Sequence, residues 1–129
     1  MIEKITKFLV LFTMSAILFS GCYYDKEDLL YPVGACDASA VTYATDIEPL
    51  LSNSCYGCHS NTQSQTAGAG ISLEGHANLS SYVNTQADRL IGAVRQEPSY
   101  SPMPKGGSPL DACSIQKLQA WIDAGAPNN

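Results

Sequence analysis

The sequence predicts a small all-α domain of short helices joined by long loops. Three observations predict it. Apolar residues recur at helical spacing in three separate stretches, the first and last of them behind an aspartate able to cap a helix. No stretch shows the two-residue alternation of a half-buried strand. The connecting segments are rich in Gly, Pro, Ser, Thr and Gln, as loops are. At 129 residues the chain holds one domain at most, and it contains no internal repeat.

The first element is an export signal over residues 1–21. Met1–Lys7 carries Lys4 and Lys7, and Phe8–Phe19 is an apolar run of twelve residues broken only by Thr13 and Ser15. A basic start, a short apolar stretch and the small pair Ser20-Gly21 make the pattern of a cleaved leader. The run is too short to span a bilayer, which takes about 20 residues, and it lacks the polar face of a packed core helix. Leu18-Phe19-Ser20-Gly21-Cys22 resembles the lipobox of bacterial lipoproteins. That resemblance implies cleavage before Cys22, acylation of its thiol and stable anchoring, since each buried methylene contributes about 0.8 kcal/mol.

Residues 22–41 then form a tether. Tyr23–Asp37 has no periodicity, carries Asp25, Lys26, Glu27 and Asp28, and has Pro32 and Gly34 before Cys36. Lys26-Glu27-Asp28 is similar to a charged export tag of some surface-exposed lipoproteins, and reads equally as a solvated linker. The mature chain keeps five of the seven basic and eleven of the twelve acidic residues, for a formal charge of −6. That opposes nucleic-acid binding, which needs a basic footprint. It also opposes attraction to an anionic membrane surface, and suits a basic or neutral soluble partner.

The domain proper covers residues 42–129. Asp46 is placed to cap the first helix, with Ile47, Leu50 and Leu51 on one face and Pro49 tolerated in the first turn. This helix runs straight into Cys55. Ser60–Gly70 reads as a loop. Thr85–Arg95 has Ala87, Leu90, Ile91 and Val94 at helical spacing. Glu97–Pro109 holds four prolines and two glycines and must be a stiff, extended loop. Asp111 is placed to cap the last helix, where Ile115, Leu118 and Ile122 recur beside Trp121 before Gly125 and Pro127 stop it. A helical domain this small is marginal without a staple. A large, flat, covalently held cofactor would supply one.

Cys55-Tyr56-Gly57-Cys58-His59 carries the chemistry. C-x-x-C-H is a c-type haem attachment pattern. Two thiols three residues apart on one helical turn can each add to a vinyl group on one porphyrin edge, and His59 then offers its imidazole to the iron as proximal ligand. Three other readings use the same residues. A thiol–disulfide redox pair would want a thioredoxin-like sheet. A zinc site would need two more ligands, from His76, Cys36 and Cys113. A Cys55–Cys58 disulfide is sterically poor.

Met103 is the only methionine of the mature chain, and it lies in Ser101-Pro102-Met103-Pro104-Lys105-Gly106-Gly107. Flanking prolines hold such a loop extended. A stiffened thioether off any apolar helical face suits the sixth, distal position on iron better than core filling. His76 is the second candidate and an open iron the third; otherwise His76, between Gly75 and Asn78, reads as a surface-loop residue. Cys36 and Cys113 remain. Outside the cytoplasm such a pair usually bridges, here with a loop-entropy gain of about 4 kcal/mol; two free buried thiols are the alternative.

From about Thr42 to Pro127 the chain resembles the class I c-type cytochromes, closest to small bacterial monohaem members ending in a tryptophan-bearing helix followed by Gly-Ala, here Leu118–Ala126. The resemblance implies a cytochrome c-like fold around one covalent haem c. It places Cys55 and Cys58 on the haem edge, with His59 and Met103 as axial ligands. It brings Ile47, Leu50 and Leu51 against Leu118, Trp121 and Ile122, and sets Gly70-Ile71-Ser72-Leu73 along the proximal side. Ser101-Pro102 departs from the Gly and Lys that often precede the methionine in that family. Arg95 and Lys105 are available for the haem propionates or for solvent, and Tyr56, Tyr82 and Tyr100 for the haem rim.

Two filled axial positions leave substrate no route to iron. The expectation is a one-electron carrier rather than an enzyme, lipid-anchored outside the cytoplasm, with the outer membrane favoured, and serving redox partner proteins. The competing class is a haem enzyme or sensor with an open distal site, which would need a distal acid–base group; His76 is the only histidine available for it.

Overall fold

The computed structural model describes residues 36–129. The expected export signal, Cys22 and the expected tether up to Ala35 lie outside the described residues. Cys36–Asn129 forms one compact unit. It is all-α, with no strand among the described residues. Helix α1, Glu48–Ser54, is entered through a wide π turn, Tyr43–Ile47; α2 is the single turn Tyr56–His59. Helix α3 covers His76–Val94 and α4 covers Ala112–Asp123.

The first helical turn starts earlier than expected. Thr42, not Asp46, is the capping residue, its side chain accepting from the Thr45 N–H. Asp46 acts from inside the turn, where its carboxylate accepts the Thr42 N–H at 3.0 Å. The two contacts form a reciprocal cap of the kind that satisfies orphan N–H donors. Pro49 explains the wide turn. Its ring removes one helical hydrogen bond and crowds the carbonyl four residues back, and a π turn gives it room.

Helix α3 is longer than the expected Thr85–Arg95. It begins behind Gly75, whose φ of 82° is open to glycine, and kinks at Gln86 (φ −135°, ψ 28°). Leu79 and Val83 continue the buried face of Leu90, Ile91 and Val94 toward the N-terminus. Asp111 caps α4 as expected, accepting from the Ser114 N–H at 2.9 Å.

The core lies where the π turn and α1 meet α4. Ile47, Leu51, Leu118 and Trp121 are at most 1% exposed, with Leu50 and Ile122 packed at the edge. Burying side chains of this size stabilises by about 1.5–3 kcal/mol each. Lys117 donates to Asp46 at 2.7 Å across the same contact, and this hydrogen bond is the main reason the Asp46 carboxyl is held down at about 2. The C-terminus folds back over it. Trp121 Nε1 donates to the Pro127 carbonyl at 2.9 Å, and the Asn129 carbonyl accepts the Ala44 N–H at 3.0 Å. Cys36 and Cys113 stand at disulfide distance, their Cα atoms 5.4 Å apart. The bridge joins the chain ahead of the π turn to the first turn of α4.

Candidate functional site

Helix α1 delivers the C-x-x-C-H motif directly. Cys55 closes α1, its N–H donating to the Leu51 carbonyl at 2.8 Å, and opens α2, its carbonyl accepting the His59 N–H at 2.8 Å. One helical turn therefore carries Cys55 and Cys58 on a common face, with His59 following. Both thiols are free and not joined to each other. Cys55 is half-buried, and burial pushes its thiol up to about 11. That is the opposite of the depressed value of a nucleophilic redox cysteine.

The loop after α2 returns to the motif. The Leu73 N–H donates to the His59 carbonyl at 2.8 Å, and His59 Nδ1 lies 2.9 Å from the Ile71 carbonyl. A carbonyl only accepts, so Nδ1 carries a proton, and in the neutral ring the lone pair is then on Nε2. This is the arrangement by which an outer contact orients a metal-binding imidazole. Gly68 makes the close return possible. A Cβ there would sit 2.5 Å from the Cys58 carbonyl oxygen and 3.0 Å from that of Ile71.

The methionine loop is fixed to α3. The Met103 N–H donates to the Ala93 carbonyl at 2.9 Å. Upstream, the Tyr100 ring lies against buried Gly92, where a Cβ would fall 2.2 Å from the ring. Glycine at this place lets the aromatic ring seat on the helix backbone and start the loop.

These pieces border one cleft of about 350 Å³, within the range of small-molecule and cofactor sites. Cys55, Cys58, His59 and Met103 all line it. Most of the rest is apolar: Ile71, Leu73, Leu90, Ala93, Val94 and Leu110. No Asp or Glu borders it; the charged residues on its lining are Arg89 and Lys105. The donor set fits a porphyrin iron: an imidazole of fixed tautomer, a thioether and two free thiols, all on one apolar cleft. Among the described residues no three His, Cys, Asp or Glu side chains are grouped to hold a metal ion on their own.

Other residues singled out from sequence stand elsewhere. His76 is not a surface-loop residue: it opens α3, lies half-buried with its ring edge-on to Tyr43 at 5.0 Å, and its Nε2 donates to the Ala126 carbonyl at 2.8 Å. It does not line the cleft. Tyr56 donates to Glu48 at 2.8 Å, and Tyr43 shares that carboxylate. Burial, ahead of the hydrogen bond to Glu48, pushes the Tyr56 hydroxyl up to about 12. Tyr100 sits on Gly92, so of the three tyrosines considered for the rim only Tyr82 borders the cleft. Arg95 pairs with Glu97 at 3.7 Å and is not on the lining; Lys105 is. Arg89 went unnoticed in the sequence, although it stands seven residues after Tyr82 and four before Ala93, on the same helical face.

No protein-family model matches the chain, and no curated protein or solved structure matches it.

Proposed function

We propose that the chain is a lipid-anchored, single-haem c-type cytochrome that carries one electron at a time outside the cytoplasm. One observation carries the reading: the C-x-x-C-H turn and the single mature-chain methionine, 44 residues past His59, border the same apolar cleft. Haem c would supply a one-electron ferrous/ferric couple. Cys55 and Cys58 would hold it through thioethers, and His59 and Met103 would be its axial ligands. His59 is suited to the proximal side because the Ile71 carbonyl already occupies its Nδ1. Met103 is suited to the distal side because its backbone is fixed to Ala93 while its side chain stays half-buried on the cleft.

The remaining residues support a carrier rather than an enzyme. The one further histidine, His76, is committed to the C-terminal backbone, which leaves the cleft without a histidine for distal acid–base work. Cys58 and Gly57 are exposed, so a haem held by these residues would be attached at the protein surface, within reach of a redox partner protein. Acylated Cys22 would keep the domain at a bacterial membrane, with the outer membrane favoured. The test is a reduced-minus-oxidised visible spectrum of the exported protein together with its intact mass. The expected result is one covalent haem and an acylated N-terminus. Protein secreted by cells competent in cytochrome c maturation, yet free of covalent pigment, would refute the reading.

A further inference from the structure

The geometry points to Arg89 as the positioning residue that receives the carboxylates of the bound cofactor and holds the reduction potential up. The inference rests on the haem reading above. It begins from how the four cations among the described residues are divided. Arg95 pairs with Glu97 and Lys117 with Asp46. Arg89 and Lys105 have no ion pair among the described residues, and these two line the cleft. On a domain with twice as many acidic as basic side chains, 8 against 4 over residues 36–129, the cleft is bordered by two cations and no acid.

The helix gives Arg89 no partner of its own. Three and four residues away stand Gln86, Gly92, Thr85 and Ala93, none of them acidic. Arg89 also borders a second groove with its neighbour Asp88, but no ion pair joins the two, so the exposed guanidinium is available to what fills the cleft. A porphyrin fixed to Cys55 and Cys58 by its vinyl edge carries its two carboxylates on the other edge. The cysteines stand on α2, whose main helical neighbour is α1, whereas Arg89 comes from α3. A planar guanidinium matches a carboxylate through two parallel hydrogen bonds, which a lysine cannot do. Lys105, on the methionine loop, adds a second positive charge. A cation near the iron opposes the extra charge of the ferric state, so it favours the ferrous form. Neutralising the carboxylates acts in the same direction.

The experiment uses the full-length exported protein and potentiometric titration followed by visible absorption. The variants are Arg89→Gln, Arg89→Lys and, as a charge-matched control off the cleft, Arg95→Gln. Arg89→Gln is expected to lower the ferrous-to-ferric ratio at a fixed applied potential threefold to tenfold, tenfold being 59 mV for one electron. Arg89→Lys should recover at least half of that shift, and Arg95→Gln should move the ratio by less than twofold. Equal ratios for Arg89→Gln and Arg95→Gln, with haem bound in full, overturn the assignment of Arg89 and leave the haem reading standing. A parent chain without covalent pigment overturns both.

Discussion

Gly68→Ala tests how the proximal side of the cleft is built. The added Cβ would lie 2.5 Å from the Cys58 oxygen, 2.9 Å from Ser64 Cα and 3.0 Å from the Ile71 oxygen. All three are backbone atoms, so no side chain can swing away. Gly68 does not have a positive φ, so the effect is steric rather than conformational. Overpacking of this kind costs about 1–3 kcal/mol, which for a domain of this size lowers Tm by roughly 5–20 °C. The Cys58 carbonyl and Ser64 must shift most, and the Ile71 carbonyl, which must give by a few tenths of an ångström, is the acceptor for His59 Nδ1. Loss of such an outer contact typically weakens metal ligation about 10- to 100-fold. Gly57→Ala is the control, because a Cβ there meets nothing within 4 Å. In a helical position it should leave stability unchanged or raise it by up to about 1 kcal/mol. Thermal unfolding by circular dichroism reads both variants. If Gly68→Ala melts with the parent chain, the close return of the loop onto Cys58 is not what holds His59 in place.

Met103→Ala should open the distal position, lower the reduction potential and allow carbon monoxide to bind the reduced protein at once; an unchanged spectrum with no carbon monoxide binding would remove Met103 from the ligand set. Cys22→Ser should shift the protein from the membrane fraction to the soluble one, and continued retention on fractionation argues against acylation. The Asp46 carboxyl is held below its ordinary 3.8, at about 2, chiefly by Lys117. Its contribution is therefore complete above about pH 4 and is lost as pH falls through about 2. Lys117→Met should cost up to about 1 kcal/mol at neutral pH and well under half of that near pH 2, read as the difference between two urea unfolding series.

The parts of the fold legible in the sequence were those written in side-chain spacing. Spacing marks Ile47, Leu50 and Leu51, and separately Leu118 and Ile122, as faces that need a partner; that the two faces meet is what the family resemblance implies, and the structure packs them in one core. The C-x-x-C-H turn is legible for the same reason: its chemistry lies in consecutive identities. The first half of α3 was hidden. Ser80, Ser81, Asn84 and Thr85 are weak helix formers, and tertiary burial of Leu79 and Val83 overrides them. Asp46 misled in another way. Its residue type suits a cap, but Thr42 takes that position and Asp46 answers it from within the turn. The acceptor for His59 was out of reach altogether, since a backbone carbonyl leaves no mark in the identity of Ile71. Arg89 left a faint one, a cation on the apolar face of Leu90, Ala93 and Val94, which is legible once the neighbouring wall of the cleft is known.

The Cys36–Cys113 bridge decides where a mechanical load enters the domain. Any pull on the chain ahead of Cys36 meets the sulfur crossing before it can travel along Asp37–Thr42 into the π turn. Tension therefore passes into Cys113 and along α4, the helix that buries Leu118 and Trp121. The π turn and α1, which present the thiols and the imidazole, hang slack behind the crossing. Load that enters at Cys36 is thus borne by α4, and the C-x-x-C-H turn lies off its route.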